Sequence, residues 1–179
     1  MSRLLRTSAG DVLIRTATLA DVDGYRALRL EALQNHPTAF GQSYEDIVVR
    51  PSSYWVERLQ PDPNLCVFFA EHEGTLIGMT GIIRPGAPKV KHSATVWGVY
   101  VTAAWRGQRI AEALIESCLD WAHANEVVIV KLAVVSDNQS AIRCYERCGF
   151  KTYGTEPQAI FHDGKYYDEY LMVRSVDKA

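Results

Sequence analysis

Trp105-Arg106-Gly107-Gln108-Arg109-Ile110-Ala111 joins an apolar, strand-like run (95–101) to an amphipathic helical pattern. A turn that feeds a helix start leaves several backbone N–H groups without partners, all pointing one way. The positive end of the helix dipole lies with them. Such a place holds an anion, and a pyrophosphate fits it well. Arg106 and Arg109 add two cations at the same point. The helix is expected over 107–125, with Ile110, Ala111, Leu114, Ile115, Cys118, Leu119 and Ala122 along one face. Glu112, Glu116 and Asp120, spaced by four, read as its solvated side.

Upstream, Gly98 interrupts an otherwise strong β run over 94–101, where a glycine marks a bulge or a close backbone approach. A bulge at Gly98-Val99 would leave backbone groups of Val99, Tyr100 and Val101 free to pair with an extended, amide-bearing ligand such as pantetheine. The competing reading has Gly98 making room for Trp97. Downstream, residues 127–135 are β-branched and apolar, as in a central strand covered on both faces. A helix follows over 138–148, stopped by Gly149, with Phe150 placed for the apolar contact that accompanies such an end. Asn138 and Tyr145 lie seven residues apart, two turns, and so share a face, with Ala141 and Ile142 between them. Asn138 is also a good N-cap. Tyr145 is either a core aromatic or a phenol, protonated at neutral pH, that can give a proton to a departing thiolate.

The rest of the chain supplies a scaffold. Residues 12–16 read as a strand, followed by a helix that opens at Leu19-Ala20-Asp21 and ends before Pro37. Residues 39–59 hold one or two short helices. Runs 66–71 and 76–84 form a hairpin across His72-Glu73-Gly74, and a second hairpin joins 158–162 to 165–173 through Asp163-Gly164. The order βα(α)βββαβαββ is that of a mixed sheet with helices packed on it, α/β or α+β, in one domain over 1–179 with its core at about 11–174.

Bulk properties narrow the function. Of 179 residues 47% are apolar and 22% charged, with a formal net charge of −2, so no basic surface for nucleic acid is expected. No apolar run nears the roughly 18 residues that cross a bilayer, and residues 1–10 lack a signal-peptide core. Cys66, Cys118, Cys144 and Cys148 contain no Cys-x-x-Cys pair. They read as free thiols in a reducing cytoplasm, and no metal site is expected. Neither Gly-x-x-x-x-Gly-Lys-Ser/Thr nor Gly-x-Gly-x-x-Gly occurs, which argues against other nucleotide folds.

Val99-Tyr100-Val101 followed by Arg106-Gly107-Gln108-Arg109-Ile110-Ala111 resembles the acetyl-CoA signature of the GNAT N-acetyltransferase superfamily, Gln/Arg-x-x-Gly-x-Gly/Ala. Asn138-x-x-Ala141-x-x-x-Tyr145-x-x-x-Gly149-Phe150 resembles its second cofactor motif. The resemblance implies a mostly antiparallel mixed sheet with helices on both faces, acetyl-CoA as co-substrate and an amine acceptor. A homodimer is also within what it implies. By it, the amides of Gln108, Arg109, Ile110 and Ala111 hold the pyrophosphate beside Gly107, and Arg106 supports it. Val99 and Val101 pair with pantetheine, Asn138 and Ala141 contact that arm, and Tyr145 protonates the sulfur. An N–H at Val99 or Tyr100 would polarise the acetyl carbonyl.

Two departures matter. Arg109 stands where the signature has glycine, which is harmless to the backbone only at negative φ. The glutamate that many members carry on the strand before the first motif is missing, leaving Glu71, Glu45, Asp46 and His92 as candidate bases. For the acceptor, Phe40, Tyr44, Glu45, Trp55, Tyr153, Tyr166 and Tyr167 make an aromatic, mildly acidic set, suited to a small amine or a peptide N-terminus. The expected activity is acetyl transfer by direct attack. The alternative is a regulatory module that binds CoA without turnover.

Overall fold

Alternation along one central strand sets the architecture. In β3 (Leu65–His72), Phe68 and Ala70 enter one hydrophobic core while Val67 and Phe69 enter another, so the sheet is covered on both faces. The computed structural model describes residues 2–176. Besides β3 the sheet contains β1 (Ser2–Thr7), β2 (Gly10–Thr16), β4 (Thr75–Ile83), β5 (Ser93–Val101), β6 (Ile129–Val135), β7 (Lys151–His162) and β8 (Lys165–Ser175). The eight strands run in the order β1-β2-β3-β4-β5-β6-β8-β7. Only β5 and β6 are parallel, because the chain crosses between them through helix α4 (Ile110–Ala124), α1 to α3 lying earlier in the chain. The fold class is the expected one, mixed and mostly antiparallel.

On one face α1 (Val22–Asn35) buries Tyr25, Leu28, Ala32 and Leu33, joined by Ile47 of α2 (Tyr44–Val48) and by Trp55 and Leu59 of α3 (Ser52–Leu59). On the other, α4 buries Ile110, Leu114, Ile115 and Cys118, and α5 (Gln139–Arg147) adds Ile142 and Tyr145. The acidic side of α4 is not simply solvated. Glu112, Glu116 and Asp120 pair with Arg147, Arg174 and Arg3, which tie the helix to α5, β8 and β1.

Three boundaries differ from expectation. β1 was not foreseen: its side chains are mostly exposed, and what holds it is its backbone pairing with β2, which leaves little hydrophobic period. β7 begins at Lys151 rather than 158. Pro157, and Gln158 at φ +54, break its register with β8 between Glu156 and Ile160, which disguises one long strand as a loop and a short strand. α4 starts at Ile110 rather than 107, because Gly107 (φ +78) and Arg109 (φ +59) are left-handed.

The strand β5 changes sides. Ala94 and Val96 face the α4 core, Trp97 the α1 core; beyond Gly98 (φ +68) Val99 and Val101 face α4 and Tyr100 faces α1. Pairing with β4 accordingly jumps from Gly81↔Trp97 to Met79↔Tyr100. Gly98 is therefore a bulge, as read. The glycine that makes room for Trp97 is another one: a Cβ on Gly81 would lie 2.3 Å from the indole. Pairing of β5 with β6 stops at Thr95↔Lys131, and beyond it the two strands part.

Arg15 clamps the start of α1 to the sheet. Its guanidinium bonds both carboxylate oxygens of Asp21 at 2.8 and 2.6 Å and Glu71 at 2.6 Å. Those bonds from Arg15, helped by Thr18, hold the buried Asp21 carboxyl at about 2 against an ordinary 3.8. A depressed carboxyl stabilises the fold above its unfolded value and loses that contribution as pH falls toward about 2. Asp21→Asn should cost about 2 kcal/mol at pH 7 by denaturant titration, the gap from wild type closing between about pH 4 and 2. Gly81→Ala should cost roughly 2 kcal/mol through overlap with Trp97. Adding Trp97→Leu should recover part of that loss, a non-additivity that thermal melts of the single and double variants will show.

Candidate active site

Where β5 and β6 part, a cavity of about 640 Å³ opens, lined by Val99 to Val101, residues 105–107 and 109–112, and α5 from Asn138 to Arg147. A smaller space of about 80 Å³ continues it between Val96–Val99 and Leu132–Val135, floored by Ala39 and Phe40. Asn138, Ala141, Val99 and Tyr145 border both.

The phosphate end is built from backbone. The first intrahelical bond of α4 is from the Ala113 N–H to the Arg109 carbonyl. Among the described residues, no acceptor meets the N–H groups of residues 107–112. Left-handed Gly107 and Arg109 fold this segment into a cup of convergent donors at the positive end of a fifteen-residue helix. Gln108 secures the cup from outside: its Oε1 accepts from the Ser8 hydroxyl at 2.9 Å and the Ser8 N–H at 3.3 Å, and its side chain does not line the cavity. Arg106 turns back along the cavity wall, where its Nε donates to the Val101 carbonyl at 3.0 Å and its Nη2 lies 2.7 Å from His36 Nε2. Burial and this neighbouring cation push the His36 imidazole down, so it meets Arg106 as a neutral acceptor. Arg109 keeps positive φ, contrary to the condition that would have made it costless.

The other wall is α5. Asn138 Oδ1 caps the helix by accepting from the Ala141 N–H at 3.2 Å, which leaves its Nδ2 donors for whatever enters the cavity. Two bonds fix the far end: Phe150 N–H to the Tyr145 carbonyl at 3.0 Å and Gly149 N–H to the Glu146 carbonyl at 2.9 Å, with Gly149 at φ +83. Phe150 meets the Tyr145 ring edge-on at 6.3 Å. Tyr145 is 8% exposed, and among the described residues nothing hydrogen-bonds its hydroxyl. Burial, with the Cys144 and Cys148 thiols adding a little, raises this phenol above its ordinary value, so it keeps its proton throughout the neutral range.

The candidate bases do not converge here. Glu71 is held by Arg15, the Asp46 carboxylate accepts from the hydroxyl of Ser43, the residue that caps α2, and Glu45 lies beside it on the same helix. His92 precedes the closed end of the β5–β6 pair. Among the acceptor-side aromatics only Phe40 reaches the cavity. Trp55 is core, Tyr44 packs against it, Tyr153 and Tyr166 are exposed, and Tyr167 lies under the Lys165 cation. Sequence reading missed His36, Glu112, Arg143, Cys144 and Arg147 as lining residues. The last four were within reach of helical spacing from Ala111 and Asn138; His36 was not. Among the described residues no cluster of three metal-ligating side chains occurs, and no helix is long and apolar enough to cross a membrane.

Known proteins match this arrangement. Residues 27–150 fit the sequence profile of the Acetyltransferase (GNAT) family. L-amino acid N-acetyltransferase AaaT of Escherichia coli is 28% identical over 169 residues, spanning 92% of this chain and 98% of that protein. A Pseudomonas aeruginosa L-methionine sulfoximine/L-methionine sulfone acetyltransferase is 26% identical over 167 residues, 92% of this chain and 94% of its own length. In structure, a GNAT-family acetyltransferase from Streptococcus pneumoniae superposes with a TM-score of 0.83 at 22% identity, covering 93% of this chain and 99% of that one. YncA, a putative acetyltransferase from Salmonella typhimurium solved with acetyl-CoA, superposes at 0.78 and 19% identity, covering 94% and 95%. With a matching family profile over residues 27–150, most of its length, the chain belongs to the GNAT family and is an acetyl-CoA-dependent N-acetyltransferase.

Proposed function

We propose that the chain moves an acetyl group from acetyl-CoA to the primary amine of a small molecule or a peptide N-terminus, by direct attack and with Tyr145 as general acid. The observation that carries this reading is one of juxtaposition. A row of unpaired N–H groups, a bulged strand unpaired on its β6 side beyond Thr95, and a protonated phenol line one continuous cavity.

The roles follow from position. The amides of residues 107–111 take the pyrophosphate, with the Arg109 and Arg143 cations beside it. Val99 and Val101 pair with the pantetheine amides as a neighbouring strand would, and Asn138 Nδ2 meets the same arm from α5. Arg106 holds the Val101 carbonyl and so shapes this wall rather than gripping phosphate. The N–H at Val99 or Tyr100, freed by the bulge, stabilises charge growing on the acetyl oxygen. The acceptor attacks as its neutral amine. As the carbon–sulfur bond breaks, the electron pair goes to sulfur, and the Tyr145 hydroxyl donates its proton there. The amide product keeps the nitrogen, whose extra proton passes to water at the open side.

Two relatives carry names that specify amino acids or their analogues, which supports a small amine over a large one here. A cytoplasmic setting belongs to the same reading, since four free thiols accompany an acetyl-CoA chemistry. So does pairing of two copies through the last hairpin, where Tyr153, Phe161 and Tyr166 are exposed.

Tyr145→Phe should lower kcat about a hundredfold, read as free-thiol release, while calorimetry shows CoA affinity unchanged within about twofold. CoA binding with no thiol release from wild type across a broad amine panel would instead favour the regulatory module. Because the phenol is raised, its ionisation should not cut the rate below pH 10. A profile of kcat/KM against pH should rise with the free-amine fraction and show no falling limb before then.

A further inference from the structure

Behind the narrow end of the cavity, on its α1 side, lies a buried charge that nothing answers. Arg29 lies on α1 and is only 7% exposed. Its Nη2 donates to Gln42 Oε1 at 3.0 Å, and the Phe40 ring covers the guanidinium at 4.6 Å. Its Nη1 is shielded from solvent and has no hydrogen-bond partner, and among the described residues no carboxylate pairs with it. The surroundings are cationic: Arg58 and Arg50 both stack on Tyr54, at 4.4 and 5.5 Å, and the Tyr54 hydroxyl accepts from Gln42 Nε2 at 3.3 Å. Burying an unpaired cation costs several kcal/mol, more than one amide bond and one aromatic face restore. A purely structural position would be served as well by an apolar residue of similar volume.

The place of this charge gives it a use. Nη1 lies 3.9 Å from where a Cβ would stand on Gly98, the bulge residue. Gly98 and Phe40 border the narrow end of the cavity between the parted strands, together with Tyr145. We propose that Arg29 receives the carboxylate of the acceptor, which makes the substrate class a free α-amino acid. The inference rests on the acetyl-transfer reading above and deepens it. In an α-amino acid the nitrogen is two bonds from the carboxyl carbon. A carboxylate on Nη1 therefore sets the amine beside Gly98 and Val99, where the thioester carbonyl is to be attacked. A peptide N-terminus offers a neutral amide at that distance and would leave the cation unanswered. Phe40, whose ring covers the guanidinium, follows the short turn Pro37–Ala39 and borders the cavity, so the proposed binding requires that ring to move aside.

The test compares each of several L-amino acids with its carboxamide and its decarboxylated amine, at equal concentrations of neutral amine, by thiol release from acetyl-CoA. The wild-type protein should favour the acids in kcat/KM by about tenfold to a hundredfold, the worth of a charge-assisted bond. Arg29→Gln should erase that preference by raising KM for the acids, with the amines changed less than about threefold. Arg29→Lys, which keeps the cation without its fork, should fall between the two. Equal use of acids and amides by wild type overturns the assignment without any variant, and so does a preference that survives in a folded Arg29→Gln. In either case acetylation of the amines leaves the parent reading standing. Thiol release from none of the three series would overturn both.

Discussion

The site exists because two neighbouring strands stop pairing. β5 and β6 are joined over three residue pairs and then diverge, although both continue as extended chain. Backbone N–H and C=O groups inside a protein must find partners, and an unsatisfied one costs about 1–3 kcal/mol. A sheet that parts in its middle therefore needs the gap to be filled or bridged. Here the bridge is partial: Arg106 takes the Val101 carbonyl. What remains unpaired lies along the cavity, as an edge presented inward rather than to another molecule. The bulge at Gly98 makes the parting possible, since it turns the strand over and breaks the register that would keep β5 aligned with its neighbours.

Around this gap the remaining structure acts as bracing. The cup at the start of α4 has no internal hydrogen bonds, so it depends on outside ties. Gln108 reaches Ser8 on the β1–β2 turn, and Glu112 meets Arg147 of α5 at 2.6 Å. Arg174 of β8 donates to the Cys148 carbonyl just past the end of α5. Each tie joins elements far apart in sequence, and together they fix α4 and α5 against one another across the cavity. Tyr145 benefits most. Its carbonyl accepts the helix-ending bond from Phe150 and its ring packs against the same residue, so the phenol's direction is set by the helix terminus itself.

That distinction, between what a segment determines alone and what distant partners determine, also decides what could be read from the sequence. Spacing within one helix placed Asn138, Ala141 and Tyr145 together, and glycine chemistry located both the bulge at Gly98 and the stop at Gly149. These are local facts. The wide separation of Gly81 from Trp97, by contrast, hid the fact that one makes room for the other, because only the register of β4 against β5 brings them together. β1 was invisible because edge strands are held by backbone groups common to every residue. The pull of Arg106 toward His36 and Val101 could not be foreseen, since a motif gives the residue and not the direction of a long side chain. Arg29 was hidden most thoroughly: a single arginine on an amphipathic helix ordinarily lies at its wet edge, and only the packing of Phe40 and α3 buries it.

Arg109 and Arg29 break local rules in different ways, and both border or adjoin the same cavity. A left-handed conformation costs a non-glycine residue roughly 1–2 kcal/mol, and Arg109 accepts it at φ +59 as the residue that caps the start of α4. Arg29 accepts desolvation. Among residues that only support a fold such costs tend to disappear, since glycine at one position and an apolar side chain at the other would remove them without loss. In the proposed reading, one cation meets the phosphates and the other the acceptor's carboxylate. The thioester is then held between two anionic ends, with neutral groups, the Val99 amide and the Tyr145 phenol, at the point of reaction. Anions at both ends and no fixed charge between them leave the developing negative charge on the acetyl oxygen and the sulfur to donors whose protonation does not change at neutral pH.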